Sequence, residues 1–232
     1  MYTTYFISDL HLGHKNVIKF DNRPFNTIEE HDEYIISQWN KTVDDYDDVY
    51  ILGDISWYNI EKTIAIIKRL NGRLHLCLGN HDRKLMKNKD LRALFVEIVE
   101  KKDFVLNGKH LVLNHHPELF FNNAYRNGYH FYGHVHNSPE WNYLEQCKKE
   151  IEDIEKHEQN MFNVGCMLDY MAYTPRTFEE IINGAKNITV WEQVDETKQR
   201  CTACDTIFLI ATYPDRTNNF CPNCGRKIKY EQ

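Results

Sequence analysis

Apolar and β-branched residues gather first at Tyr2 to Ser8, a pattern that predicts a strand running into the polar stretch Asp9 to Asn16. Thr27 and Glu30 form a capping-box signature, and Ile28, Ile35, Ile36, Trp39 and Val43 recur at helical spacing behind it. A helix is therefore expected after the first strand. The scheme repeats. Val49 to Leu52 is a short apolar run ending at Gly53-Asp54, followed by Ile60, Ile64, Ile67 and Leu70 at a helical period with Gly72 as the stop. Leu74 to Leu78 then runs into Gly79-Asn80-His81-Asp82.

Strands are predicted at Val96 to Val99, Phe104 to Leu106, Leu111 to Leu113 and His130 to Tyr132, with Asn107-Gly108 turning a hairpin. Glu140 to Gln159 carries Leu144, Cys147, Ile151 and Ile154 on one stripe and reads as an amphipathic surface helix or hairpin. Met161 to Val164 is a further strand, Thr177 and Glu180 make a second capping box, and Ile188 to Val194 closes the body. Asp195 to Arg200 is polar and reads as a linker, giving a domain over 1–194 and a tail over 195–232.

Composition narrows the chemistry. The 232 residues hold 34 acidic and 28 basic side chains, a net charge of −6, which excludes a general nucleic-acid coat or an anionic membrane surface as the main role. No run approaches the roughly 18 consecutive apolar residues of a membrane span. The first fifteen residues show no basic leader followed by a long apolar segment, so a cytoplasmic protein is expected. Histidine, at 12, outnumbers glycine, at 10, and that excess points to metal or proton chemistry.

The polar clusters fall at strand ends. Asp9 and His11 follow the first strand, Asp54 the second, Asn80 to Asp82 the third, His115 and His116 a fourth, and His134 and His136 a fifth. In α/β sheets the loops leaving the carboxyl edge converge on ligands. Carboxylates, one Asn and several His suit Mn²⁺, Fe, Ni²⁺ or Zn²⁺ better than an all-oxygen Mg²⁺ or Ca²⁺ cage. Seven ligands are too many for one ion. Two ions about 3.5–4 Å apart can hold a hydroxide and clamp the oxygens of an in-line displacement at phosphorus, so phosphoester hydrolysis is expected.

Asp9-x-His11, Gly53-Asp54, Gly79-Asn80-His81-Asp82, His115 and Gly133-His134-x-His136 together resemble the calcineurin-like metallophosphoesterase superfamily, with all five blocks in order. Ser8 to His14, Asn22-Arg23-Pro24-Phe25 and Asn163-Val164-Gly165 are similar to stretches of small bacterial and phage phosphoesterases. The resemblance implies a two-layer β-sandwich flanked by helices. It implies that Asp9, His11 and His136 hold one metal, that Asn80, His115 and His134 hold the other, and that Asp54 bridges them. His81 would protonate the leaving oxygen or stabilise developing charge, oriented by Asp82. The choice of His115 over His116 rests on the resemblance and on strand alternation, by which only one of two neighbours faces the site. Arg23, Asn16 and His14 are candidates for phosphate contacts. The other histidines, among them His31, His75 and His130, read as surface or packing residues.

In the tail, Cys201-x-x-Cys204 and Cys221-x-x-Cys224 have the spacing of a structural Cys₄ zinc site, and Cys221-Pro222-Asn223-Cys224-Gly225 resembles a zinc-ribbon knuckle. Such a ribbon would contact a nucleic acid or a protein through its basic and aromatic residues. Two further readings stand beside a phosphomonoesterase or phosphodiesterase: a nuclease gripping its strand with the ribbon, and a catalytically silent scaffold.

Overall fold

The computed structural model describes residues 2–186 and, beyond them, the strand segments 188–195, 198–201, 207–209 and 227–229. The chain divides into two compact units, Met1–Ile181 and Ile182–Gln232. In the first, β1 (Thr4–Ile7), α1 (Val17–Phe20), α2 (Ile28–Thr42), β2 (Asp48–Ile51), α3 (Ile60–Ile67), β3 (Arg73–Cys77), α4 (Lys89–Arg92) and β4 (Glu97–Val99) follow in order; α2, α3 and the strands lie where the periodicity predicts them, and the four-residue α1 and α4 are additions to that pattern. Strands β1 to β4 are parallel, as helical crossovers require. A short antiparallel strand, β9 (Arg176–Thr177), completes the sheet in the order β4-β3-β2-β1-β9.

At Glu100 the chain changes sheets. β5 (Lys101–Leu106) and β6 (Lys109–Asn114) form the expected hairpin, with Asn107 and Gly108 both at positive φ (48° and 79°), as a type I′ turn demands. β7 (Tyr129–Tyr132) and β8 (Met161–Asn163) add in parallel to give β5-β6-β7-β8. The sheets meet face to face where Phe6 and Phe131, both fully buried, touch edge-on with ring centroids 5.0 Å apart. On the opposite face of β1, Tyr5 donates from its hydroxyl to the Thr42 carbonyl at the end of α2 (3.1 Å).

α2 begins at its capping residue, since the Thr27 hydroxyl accepts the Glu30 amide (3.1 Å), and it buries Ile28, Ile35, Ile36 and Trp39. α5 (Pro139–Glu155) sets Trp141 and Leu144 against Val112, Tyr132 and Met161 on the outer face of the second sheet. Its apolar stripe is shorter than expected. Ile154 is 81% exposed because the helix ends at Lys156, which adopts a left-handed conformation. α6 (Phe178–Lys186) opens on the second capping box, where Thr177 and Glu180 bond reciprocally.

Three histidines outside the strand-end clusters are buried and bonded. His130 is fully buried, its Nδ1 donating to Val112 O (3.1 Å) and its Nε2 accepting the Glu118 amide (3.0 Å). Burial pushes its pKa down to about 4, outweighing the Val112 bond. An unfolded chain binds this proton near 6.5, so the stabilisation is complete above that pH and is lost as pH falls through about 4. The full loss is on the order of 3 kcal/mol. Urea midpoints measured between pH 7 and 4.5 should therefore fall more steeply in the parent chain than in His130→Gln; parallel slopes would refute the assignment.

The second unit contains β10 (Ile188–Asp195), β11 (Lys198–Cys201), β12 (Ile207–Leu209) and β13 (Lys227–Lys229), in the order β12-β11-β10-β13. The strand expected to close the body is β10, and it pairs with β11 antiparallel and β13 parallel. The expected linker contains the start of β11. Cys201 ends β11, whereas Cys204, Cys221 and Cys224 lie outside the described residues, and with them the expected zinc ribbon. Among the described residues no helix is long and apolar enough to cross a membrane.

Candidate metal centre

The loops that leave β1, β2, β3, β6 and β7 converge at one edge because their backbones are tied together. Asp9 N–H donates to Gly53 O (3.1 Å), His11 N–H to Asp54 O (2.9 Å) and Gly133 N–H to His115 O (2.9 Å). Ser8 bridges Gly165 in parallel, joining the two sheets beside this edge. Asp9, His11, Asp54, His134 and His136 all have positive φ, between 48° and 69°. Side chains adopt that conformation only where surrounding structure enforces it.

The side chains then meet. Asp9, His11 and His136 place one ligand atom each within 4.8 Å of one another, as do Asp9, Asp54 and His115. Asp54 Oδ2 lies 3.8 Å from His11 Nε2, 3.6 Å from His115 Nε2 and 3.9 Å from His81 Nε2. Asn80 Oδ1 lies 3.0 Å from His115 Nε2 and 3.1 Å from His134 Nδ1. Asp54 thus stands between an Asp9/His11/His136 side and an Asn80/His115/His134 side.

Electrostatics favour a cation here. Although burial opposes it, the facing histidines, His136 first, hold the Asp9 carboxyl well below the usual range. His136 rises to about 10 against its own burial because Asp9 and Asp21 flank it. Burial, with Asp9 adding to it, lifts Asp54 to about 6, and burial drives His11 down to about 2. Two carboxylates facing one half-buried imidazole make this edge electronegative, which suits a cation. The His115 ring fits the same conclusion: Nδ1 is bonded to the Leu52 carbonyl (2.7 Å), which leaves Nε2 to act as a ligand. His11 Nδ1 is buried with no hydrogen-bond partner. The donor set and its second-layer bonds fit divalent ions.

A family profile for the calcineurin-like phosphoesterase superfamily domain matches residues 3–179. The chain belongs to this superfamily. An uncharacterized protein of Methanocaldococcus jannaschii is 34% identical over 134 residues, which cover 57% of this chain and 68% of that protein. The gene 66 protein of Mycobacterium phage L5 is 38% identical over 97 residues, covering 40% of this chain and 46% of its own length. A protein of unknown function from Aquifex aeolicus, solved as a crystal structure, aligns with a TM-score of 0.59 at 26% identity, over 79% of this chain and 99% of that one. The calcineurin-like phosphoesterase superfamily is hydrolytic, so the chain's family points to a metal-dependent phosphoesterase.

Within this calcineurin-like frame several expectations change. Asp82 does not touch the His81 ring. Fully buried, it accepts the amides of Gly79 (2.9 Å), Asp54 (2.8 Å) and Ile55 (3.0 Å), clamping the β2 and β3 loops together. His81 is exposed and lies against Trp57, with ring centroids 4.1 Å apart. Arg23 is also turned inward. Its side chain is fully buried and donates to Asp21 Oδ2, Asp9 O and Leu10 O, so no donor faces a substrate phosphate. His14 stacks on Trp57 itself, with ring centroids 4.3 Å apart and planes 12° apart, and Asn16 is exposed at the start of α1 without a capping bond.

Strand alternation would send His116 away from the site. β6 ends at Asn114, however, and beyond it both rings approach His134; His115, His116 and His134 form a third group of ligand atoms within 4.8 Å. His115 is buried and His116 exposed. Sequence reasoning overlooked two residues of this edge. Trp57 has no sequence signal of its own, though it follows the Gly53-Asp54 block closely enough to share its loop. Asp21 drew no notice because its partner, His136, is 115 residues away.

Proposed function

We propose that the protein is a phosphoester hydrolase with a dinuclear centre, in which Asp9, His11 and His136 hold one divalent ion, Asn80, His115 and His134 hold the other, and Asp54 is shared. The observation that carries this reading is Asp54 Oδ2, which lies within 4 Å of ring nitrogens from both groups. When bound, such ions polarise phosphoryl oxygens and supply a nucleophilic water at neutral pH. Mn²⁺, Fe, Ni²⁺ and Zn²⁺ all suit the donors.

His81 donates the proton that the leaving oxygen needs. It stands at the rim, 3.9 Å from Asp54 Oδ2, and its ring is held by Trp57 rather than by a carboxylate, so it can meet a substrate from the solvent side. Asp82 keeps the bridging residue in place through the Asp54 amide. The substrate is a phosphomonoester or phosphodiester, and Cys201, Cys204, Cys221 and Cys224 hold a separate structural zinc.

Metal analysis of the purified chain, joined to a panel of mono-, di- and cyclic phosphoesters, tests the whole reading; absence of bound metal together with inactivity across the panel would sink it. The role of His81 has its own test. His81→Ala should lower turnover of an alkyl phosphoester about 10²- to 10⁴-fold, the usual contribution of a positioned acid. Turnover of a nitrophenyl ester, whose leaving group departs without a proton, should fall far less. Equal losses on both substrates would assign His81 to another task.

A further inference from the structure

The sequence singles out Asn22-Arg23-Pro24-Phe25, and the proposed chemistry makes no use of it. Its arginine is the centre of a buried network. Arg23 Nη2 donates to Asp9 O (3.0 Å) and Nη1 to Leu10 O (3.2 Å), so the guanidinium holds the backbone that carries two of the ligand residues, Asp9 and His11. Nη1 also meets His31 Nε2 at 2.8 Å. Because arginine only donates, that nitrogen accepts, and His31 Nδ1 turns its proton to Asp32 (2.8 Å). Asp32 in turn accepts the Gly13 amide (3.1 Å), which pins the far end of the same loop to α2.

The guanidinium also holds Asp21. Nε and Nη2 both donate to Asp21 Oδ2, at 2.9 and 2.7 Å. This leaves Oδ1, which lies 2.8 Å from Nδ1 of His136. The Asp21 side chain is only 5% exposed, and Arg23 fixes its rotation. We propose that Asp21, locked by Arg23, is a positioning residue for His136: it holds the Nδ1 proton and so presents the Nε2 lone pair to the Asp9/His11 side of the centre. His136 Nε2 does face that side, 3.5 Å from Asp9 Oδ1 and 2.9 Å from His11 Nε2. A carboxylate on the distal nitrogen fixes both tautomer and ring orientation of a ligand histidine. One arginine thus sets the register of two loops that are more than a hundred residues apart in the chain.

Asp21→Asn separates this role from simple structural support. The variant side chain has the same shape, and Arg23 still has an oxygen to bond. With that oxygen held, the amide NH₂ faces His136 Nδ1, a donor against a donor. The ring must then rotate or move its proton to Nε2, and either change removes the lone pair from the centre.

The inference rests on the dinuclear reading, so the experiment reads both. Mn²⁺ is titrated calorimetrically into the full chain, chosen because thiolates bind it poorly and the tail cysteines therefore compete little. The parent should bind two equivalents. Asp21→Asn should bind one of them about 10- to 100-fold more weakly and leave the other unchanged, the range typical of outer-layer ligand partners. In a His136→Ala background the same substitution should cost nothing further. Because the buried Arg23 loses its charged partner in Asp21→Asn, the melting temperature without added Mn²⁺ should fall whether or not His136 is present. A parent that binds no Mn²⁺ overturns the dinuclear reading and this inference with it. Normal binding in Asp21→Asn overturns the inference alone, as does a loss of binding that persists without His136.

Discussion

Asp54→Asn is expected to abolish turnover while the fold survives. The carboxylate is 2% exposed, and its Oδ1 accepts the His81 amide (3.0 Å), a bond that an asparagine oxygen can keep. What the variant loses is the charge at Oδ2, where His11, His115 and His81 converge. An amide nitrogen there offers protons to ring nitrogens that must act as acceptors toward a cation. Outer-layer changes cost roughly 10–100-fold in metal affinity or activity, and loss of the ligand that the proposed centre shares should exceed that range. Steady-state rates and metal content measured together check it. More than a tenth of parental activity with two ions retained would remove Asp54 from the centre of the mechanism.

Gly133→Ala should damage the same site from the other side, and here the fold suffers too. A methyl group at this position would lie 1.9 Å from Ser8 Oγ and 2.5 Å from Asp9 Oδ2. Neither atom has room to retreat. Ser8 Oγ donates to Leu52 O (2.7 Å), and Asp9 is fully buried, accepting the His134 amide at about the same edge. Overpacking of this kind costs about 1–3 kcal/mol, with more where the neighbours are fixed. Urea denaturation should register that loss, and activity should drop by more than the stability change explains, since Asp9 and His134 are displaced together. A stable, fully active variant would mean that the two loops can separate without consequence for chemistry.

Much of this site was legible in the chain because its signals are local. Asp9 and His11, Gly53-Asp54, Asn80 and the histidines at 134 and 136 follow apolar runs, and parallel strands deliver their ends to one edge. Apolar periodicity likewise marks α2 and α3, and the Asn107-Gly108 dipeptide marks the hairpin. The parts that escaped depend on distant partners. Arg23 looked like a phosphate ligand because an arginine beside proline carries no sign of burial; its acceptors are backbone carbonyls, which every residue has. The resemblance gives Asp82 the role of orienting His81, yet its acceptor role toward the Gly79, Asp54 and Ile55 amides belongs to tertiary structure that no motif records. β10 reads as a strand in any context, and only its pairing with β11 and β13 shows which unit it joins.

The left-handed backbone at Asp9, His11, Asp54, His134 and His136 sets a trade-off between durability and function. An L-residue in that region costs roughly 1–2 kcal/mol, and five of them together rival the net stability of an ordinary domain. Glycine would relieve the cost at every one of these positions and would delete a proposed ligand each time. Durability and the proposed ion binding therefore make opposite demands on the same five residues, and a chain with glycine at any of them should trade one for the other.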